Sequence, residues 1–393
     1  MDKSNHRIID CHVHLFSVAE IDGFLEMMDA VGISAINLLA LVNPMPPWWA
    51  KPNTPDWYRR EKPRDLSINV ASMMFKALHP DRAYVFGGLD HNTPEVLAGG
   101  HDYVGQARAL IDMGVDGFKM WEGGTSLRMQ TGLPLDSPAY DEYYSLLESE
   151  SLPILYHVNE PYRREIDGLL PKHPNLKIIF AHFYGGARDL ERLGRFLDTW
   201  PNVYVDLAPG MIFRGLAERR DEAREFFVKH QDRILFGTDA TAGNSEEVEW
   251  SKGLVRLIRR FLERKDDLGL AEIGMAEVAD PPEEMNESER LCYHELNADR
   301  GLYLDDGVLA KIYAGNLTRV VGAKPRKVNP KIALSECESL IERVRKEPDD
   351  IEVEGSSVGR SPEEVRPAQD TEPHKTVHLR ELEQIAATFR TMI

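Results

Sequence analysis

The chain has 393 residues, of which 42% are apolar and 28% charged, and a net charge of −18. That length holds one large domain or two ordinary ones, and the composition is that of a soluble globular protein. The acidic balance argues against a nucleic-acid partner, which needs a basic face. The nearest approach to one is Arg214, Arg219, Arg220 and Arg224, but Glu218, Asp221, Glu222 and Glu225 intervene. That stretch reads as a helix face laced with ion pairs. No uninterrupted apolar run reaches transmembrane length, so no membrane is expected. No apolar leader fits before a first strand at about Arg7. The three cysteines, Cys11, Cys292 and Cys337, form no Cys-x-x-Cys, and the expected setting is a reducing cytoplasm.

In chain order, the first strand is predicted over 8–14 and ends in Asp10-Cys11-His12-Val13-His14. Histidines at i and i+2 on a strand share a face and can grip one metal ion. Val13 and Cys11 are expected to pack as apolar groups. A helix follows near 21–31, then a strand over 34–42. The loop after it carries Trp48, Trp49 and Trp57 among several prolines. It is either a lid or specificity loop over an aromatic substrate or a subunit contact. Strand 83–90 precedes a helix at 101–113, strand 115–121 a helix at 139–149, and strand 152–159 a helix at 162–170. Strand 176–183 leads to a helix at 187–198, strand 203–208 to one at 218–230, and strand 234–238 to one at 246–264.

Eight β/α units in a row imply parallel strands with crossover helices, and eight is the number that closes a (β/α)8 TIM barrel. The expected class is therefore α/β, a (β/α)8 TIM barrel with a C-terminal helical extension. A doubly wound sheet is the alternative, but no Gly-x-Gly-x-x-Gly follows the first strand. The barrel domain is expected over 1–325 and the extension over 326–393. Within the extension, 347–375 is acidic, rich in Pro, Ser and Gly, and expected to be disordered. Residues 376–393 regain helical periodicity. A closing helix, interrupted near Gly315-Asn316, is expected over 305–322.

Barrel enzymes work at the C-terminal strand ends. Besides His12 and His14, those ends carry His157, His182 and Asp239. Taken singly, His157 and His182 read rather as structural histidines than as ligands, and Asp239 reads equally well as a helix N-cap. Taken together they surround the mouth. A mixed His/Asp set without Cys suits Zn²⁺ first, then Mn²⁺, Fe²⁺ or Co²⁺. Asp239 is the candidate for both ligand and base, with His182 orienting water or stabilising charge. Asp10 is expected to be a supporting or capping group.

These residues carry a resemblance. Asp10-Cys11-His12-Val13-His14, His157, Ala181-His182 and Phe236-Gly237-Thr238-Asp239 resemble the amidohydrolase superfamily. The likeness is greatest to its amidohydrolase-related branch, which includes aminocarboxymuconate semialdehyde decarboxylase and hydroxybenzoate decarboxylases. Ile312-Tyr313-Ala314-Gly315-Asn316-Leu317-Thr318-Arg319 resembles the closing helix of that branch, so the likeness spans roughly 7–324. It implies metal ligands at His12, His14, His157 and Asp239, with His182 beside the reacting centre. The pattern is specific for the superfamily and unspecific for the reaction.

Lys119, near the end of the fourth strand, has three readings: a carboxylated lysine bridging two metals, an anchor for a substrate carboxylate, or a rim residue. Glu160 and Arg163 either touch substrate or begin the next helix. The leading functional expectation is a metal-dependent hydrolase of a small carboxylated or aromatic substrate. The alternative is a nonoxidative decarboxylase of an aromatic or unsaturated acid, and a third reading is a barrel without catalysis. The expected partners are a small-molecule substrate and a second copy of the chain in a homodimer.

Overall fold

The computed structural model describes residues 6–42, 67–91, 102–122, 132–209, 212–280, 287–346 and 374–393. Eight parallel strands run in sequence order: β1 Ile9–Val13, β2 Ala35–Leu39, β3 Ala83–Gly88, β4 Gly117–Glu122, β5 Ile154–Val158, β6 Ile178–Phe180, β7 Val203–Asp206 and β8 Ile234–Leu235. Helices cross between them, giving the (β/α)8 barrel. The seam between β8 and β1 is bridged by backbone bonds from Cys11 N to Phe236 O at 2.9 Å, Asp239 N to His12 O at 2.8 Å and His14 N to Ala240 O at 3.0 Å. Gly237 sits on that seam. A Cβ there would lie 3.1 Å from His12 Cβ and 3.2 Å from Cys11 Sγ, so a bare backbone lets the strands meet.

Alternation along the strands separates two apolar layers. Val13, Ile36, Val85, Phe118, Tyr156 and Phe180 face the helices. Ile9, Cys11, Leu39, Phe86, Leu155, Ile179, Tyr204 and Leu235 fill the barrel interior. Leu317 and Val320, on the helix Asn316–Val321, join that interior layer. The interruption expected near Gly315-Asn316 is a π-helical turn, Lys311–Gly315, linking that helix to Asp306–Ala310. It is pinned to β8 by Asn316 Nδ2, which donates to Ile234 O and Gln231 O at 2.7 Å each.

Several helices went unread in the sequence, among them Phe213–Glu218, Glu287–Leu296 and Ile68–Leu78. In Ile68–Leu78 the polar positions Asn69 and Lys76 bond Gly88 O and Asp116 inside the protein instead of facing solvent. The extension forms two helices, Pro330–Lys346 and His374–Arg390, which pack on each other and on Ile68–Leu78. Leu382, Ile385, Ala386 and Phe389 are completely buried there. The acidic stretch 347–373 lies outside the described residues. Among the described residues, no helix is long and apolar enough to cross a membrane.

Candidate metal centre

The pairing of β1 with β2 slips between Asp10 and Val13. Such a bulge re-aims the residues beyond it. Cys11 still faces the barrel interior and Val13 the helices, while His12 and His14 turn toward the mouth. His12 Nε2 lies 3.2 Å from His14 Nε2. Asp239 Oδ1 is 3.2 Å from the first and 3.1 Å from the second. Three donor atoms at those mutual distances suit one ion held at roughly 2.0–2.2 Å from each. His182 Nε2 stands 4.0 Å from Asp239 Oδ2, and the donor atoms of His12, His182 and Asp239 all fall within 4.8 Å of one another. His157 enters from β5, its ring centre 4.7 Å from that of His182. The five candidates thus converge at one end of the barrel, with His12, His14 and Asp239 the tightest group.

Asp206 was not singled out in the sequence. It ends β7, is 0% exposed and ties two of the histidines together. Its Oδ2 pairs with His12 Nδ1 at 2.8 Å, and its Oδ1 accepts His182 N at 2.8 Å. The signal that could have found it is an acid closing the apolar run Val203-Tyr204-Val205. His14 is oriented in the same manner, by the 3.0 Å contact of its Nδ1 with Leu39 O. Asp10 supports the bulge, accepting His12 N and Thr238 N at 3.1 Å each.

The loop bearing His182 is strained. His182, Phe183, Tyr184 and Gly185 have φ of 54°, 55°, 52° and 58°, a left-handed turn that costs L-residues roughly 1–2 kcal/mol each. Packing offsets this. Phe183 stacks on Phe227 at 5.5 Å and Tyr184 on Phe180 at 4.2 Å. Arg163 lies 5.1 Å over the Tyr184 ring, and a Cβ on Gly185 would collide with its guanidinium. The structure therefore places Arg163 as a brace for the His182 loop at the start of the helix Arg163–Lys172. Glu160 is exposed in the short turn before it. Asp239 is also left-handed, at φ 56°.

Charge is balanced in favour of a cation. Burial pulls His12 down, but Asp206 and Asp239 outweigh it and push the ring up to about 9. Burial pushes Asp239 up, yet His12 and His14 hold its carboxyl well below the usual range. Carboxylates that favour a proton on His12 favour a metal cation in its place. Burial lowers His14, His157 and His182, leaving them neutral, the form that ligates metal. Lys119 is 4% exposed, and its Nζ has no hydrogen-bond partner among the described residues. Burial brings it down to about 8 despite Asp239 and Asp206. Trp48, Trp49 and Trp57 lie outside the described residues.

A groove of about 550 Å³ lies elsewhere, between Arg188, Arg214, Arg219, Glu218, His294 and Glu295. Its arginines pair with acids, Arg214 with Glu218 at 3.0 Å and Arg219 with Glu222 at 3.6 Å, so it offers no converging donors comparable to the barrel mouth.

Fold and site together define a (β/α)8 protein with a histidine and aspartate pocket fit for a divalent metal. A family model described as amidohydrolase matches residues 9–322, and the chain belongs to that family. No curated protein matches the chain at a significant level. Among solved structures, it is similar to 2,6-dihydroxybenzoate decarboxylase from Rhizobium, with 16% identity over 80% of this chain and 98% of that one, and a TM-score of 0.47. An amidohydrolase from Burkholderia multivorans with bound zinc gives 15% identity, 81% and 100% coverage, and a TM-score of 0.46. The 4-oxalomesaconate hydratase from Rhodopseudomonas palustris gives 12% identity, 86% and 99% coverage, and a TM-score of 0.46.

Proposed function

We propose that the protein is a metal-dependent hydrolase of a small carboxylated or aromatic substrate, and that water is activated at the barrel mouth. The observation that carries this reading is the division of the Asp239 carboxylate. Its Oδ1 lies against His12 and His14, while its Oδ2 faces His182. His12, His14 and Asp239 would hold a divalent ion, zinc by donor chemistry, with manganese, iron or cobalt as alternatives, and His157 completes the set. Such an ion supplies Lewis acidity and brings the pKa of a water toward roughly 7. Asp239 Oδ2 takes a proton from the attacking water. His182, held through its backbone by Asp206, steadies charge developing on the acyl oxygen. Lys119 Nζ, enclosed and unpartnered, anchors the substrate's carboxylate.

The same pocket would serve a nonoxidative decarboxylase, with Asp239 or His182 returning a proton to carbon. Turnover in H₂¹⁸O separates the two. Hydrolysis places the heavy oxygen in the newly formed acid. Loss of one carbon as CO₂ without label in the product overturns the hydrolase reading. Elemental analysis of protein purified without added metal identifies the ion, and a folded protein that takes up no metal overturns both.

A further inference from the structure

We propose that Lys119 and Trp121 form a carboxylate clamp on β4, apart from the metal ligands, in which Lys119 Nζ and Trp121 Nε1 donate to the two oxygens of one acid group of the substrate. It rests on the reading above that the substrate carries a carboxylate, and it adds a second donor and a location. The two residues stand at i and i+2, so they share a face. Register pairs Lys119 with Leu155 and Trp121 with His157. Leu155 belongs to the interior layer, so Lys119 points into the barrel and Trp121 toward its mouth. The Trp121 ring lies 6.2 Å from that of His157.

Both donor atoms are enclosed, and neither has a hydrogen-bond partner among the described residues. An unpartnered buried indole N–H is costly, and an unpartnered buried ammonium is costlier. Two such groups on one strand face, beside the candidate centre, need an acceptor that none of the described residues supplies. Cα atoms two residues apart on a strand are roughly 6.6–6.8 Å apart. Side chains rising from neighbouring positions of one face can bring both donors to the two oxygens of one carboxylate, with a hydrogen bond of roughly 2.8 Å to each. The ammonium of Lys119 selects an anion, and Trp121 sets its orientation. The group held there therefore stays on β4 while the reacting carbon faces His182 and Asp239.

The test is calorimetric titration with benzoate, and with benzamide as the uncharged control, on metal-loaded and metal-stripped protein. Benzoate is expected to bind both forms and benzamide neither. Lys119→Met should weaken benzoate in both forms by at least about tenfold, and Trp121→Phe by roughly threefold to tenfold. Without ligand, Lys119→Met should melt at a higher temperature than wild type, because it removes an unpaired buried charge; a residue that merely held the barrel together would give the opposite shift. Benzoate affinity that vanishes on stripping the metal and ignores both substitutions would assign the carboxylate to the metal and overturn the clamp. So would absence of benzoate binding in either form, or a carbamate carbon on Lys119 in ¹³C spectra of bicarbonate-treated protein that Lys119→Met abolishes. Metal content and heavy-oxygen labelling are read separately, so failure of the hydrolase reading is distinguishable from failure of the clamp.

Discussion

Nδ1 of His12 lies 2.8 Å from Oδ2 of Asp206, and that contact leaves Nε2 as the ring atom facing His14 and Asp239. A carboxylate behind a ligating histidine fixes its tautomer and strengthens it as a donor. Asp206→Asn should therefore lower metal affinity by about 10–100-fold without changing the ligand set. Competition with a chelator measures this. Equal affinity in variant and wild type would show that Asp206 only fills space.

The ligand set itself is tested by stoichiometry. His12→Ala and Asp239→Ala should lose most of the bound metal and the activity, while circular dichroism and melting show an intact barrel, since the substitutions lie at its mouth. His182→Gln should keep the metal and lose about 10²–10⁴ in rate, the range for a displaced acid–base or charge-stabilising group. Loss of metal from His182→Gln would make that residue a ligand instead, a role its 4.0 Å approach to Asp239 leaves within reach.

Much of this was legible because a barrel converts strand order into position. Histidines and an aspartate at the ends of apolar runs had to meet once eight strands closed. Three features were hidden. The bulge in β1 depends on pairing with β2, and no residue of Asp10-Cys11-His12 announces it. The left-handed turn at His182-Phe183-Tyr184 places large side chains where propensity favours glycine; Asp206, Phe227 and Arg163, which hold it, are distant in sequence. Helix Ile68–Leu78 escaped notice because its polar face is buried, with Asn69 bonding Gly88 O and Lys76 bonding Asp116, so a polar stripe does not mark solvent there.

The C-terminal helix is the third place to test. Phe389 is fully buried with Leu382, Ile385 and Ala386, so Phe389→Ala should cost about 3–5 kcal/mol. Glu381 on the same helix accepts Val18 N at 2.8 Å, four residues beyond His14. Glu381→Gln keeps an acceptor for that N–H and should be nearly neutral. Glu381→Ala leaves it without one and should cost about 1–3 kcal/mol. Urea unfolding measures both. A neutral Phe389→Ala would mean that the helix contributes nothing to the stability of the barrel.

Acid sensitivity has a specific source at the end of β3. His91 is buried against the Tyr103 ring, 5.4 Å between centres, and its Nδ1 has no partner among the described residues. Burial pushes the ring down to about 4, with Asp90 only partly opposing. In the unfolded chain the ring titrates at roughly 6.5. Above that value both states carry a neutral ring and the native state keeps its full stability. Between pH 6.5 and 4 the unfolded chain binds a proton that the native protein refuses, so stability falls as pH falls, by about 3 kcal/mol in all, and levels off below pH 4. His91→Phe keeps a ring against Tyr103 and removes the titration. The difference in unfolding free energy between wild type and His91→Phe should therefore be constant above pH 7 and shift in favour of the variant on acidification to pH 5. Subtracting the two curves cancels the carboxylates and metal-site histidines that both proteins share. Parallel curves from pH 7.5 to 5 would show that His91 titrates normally in the native protein.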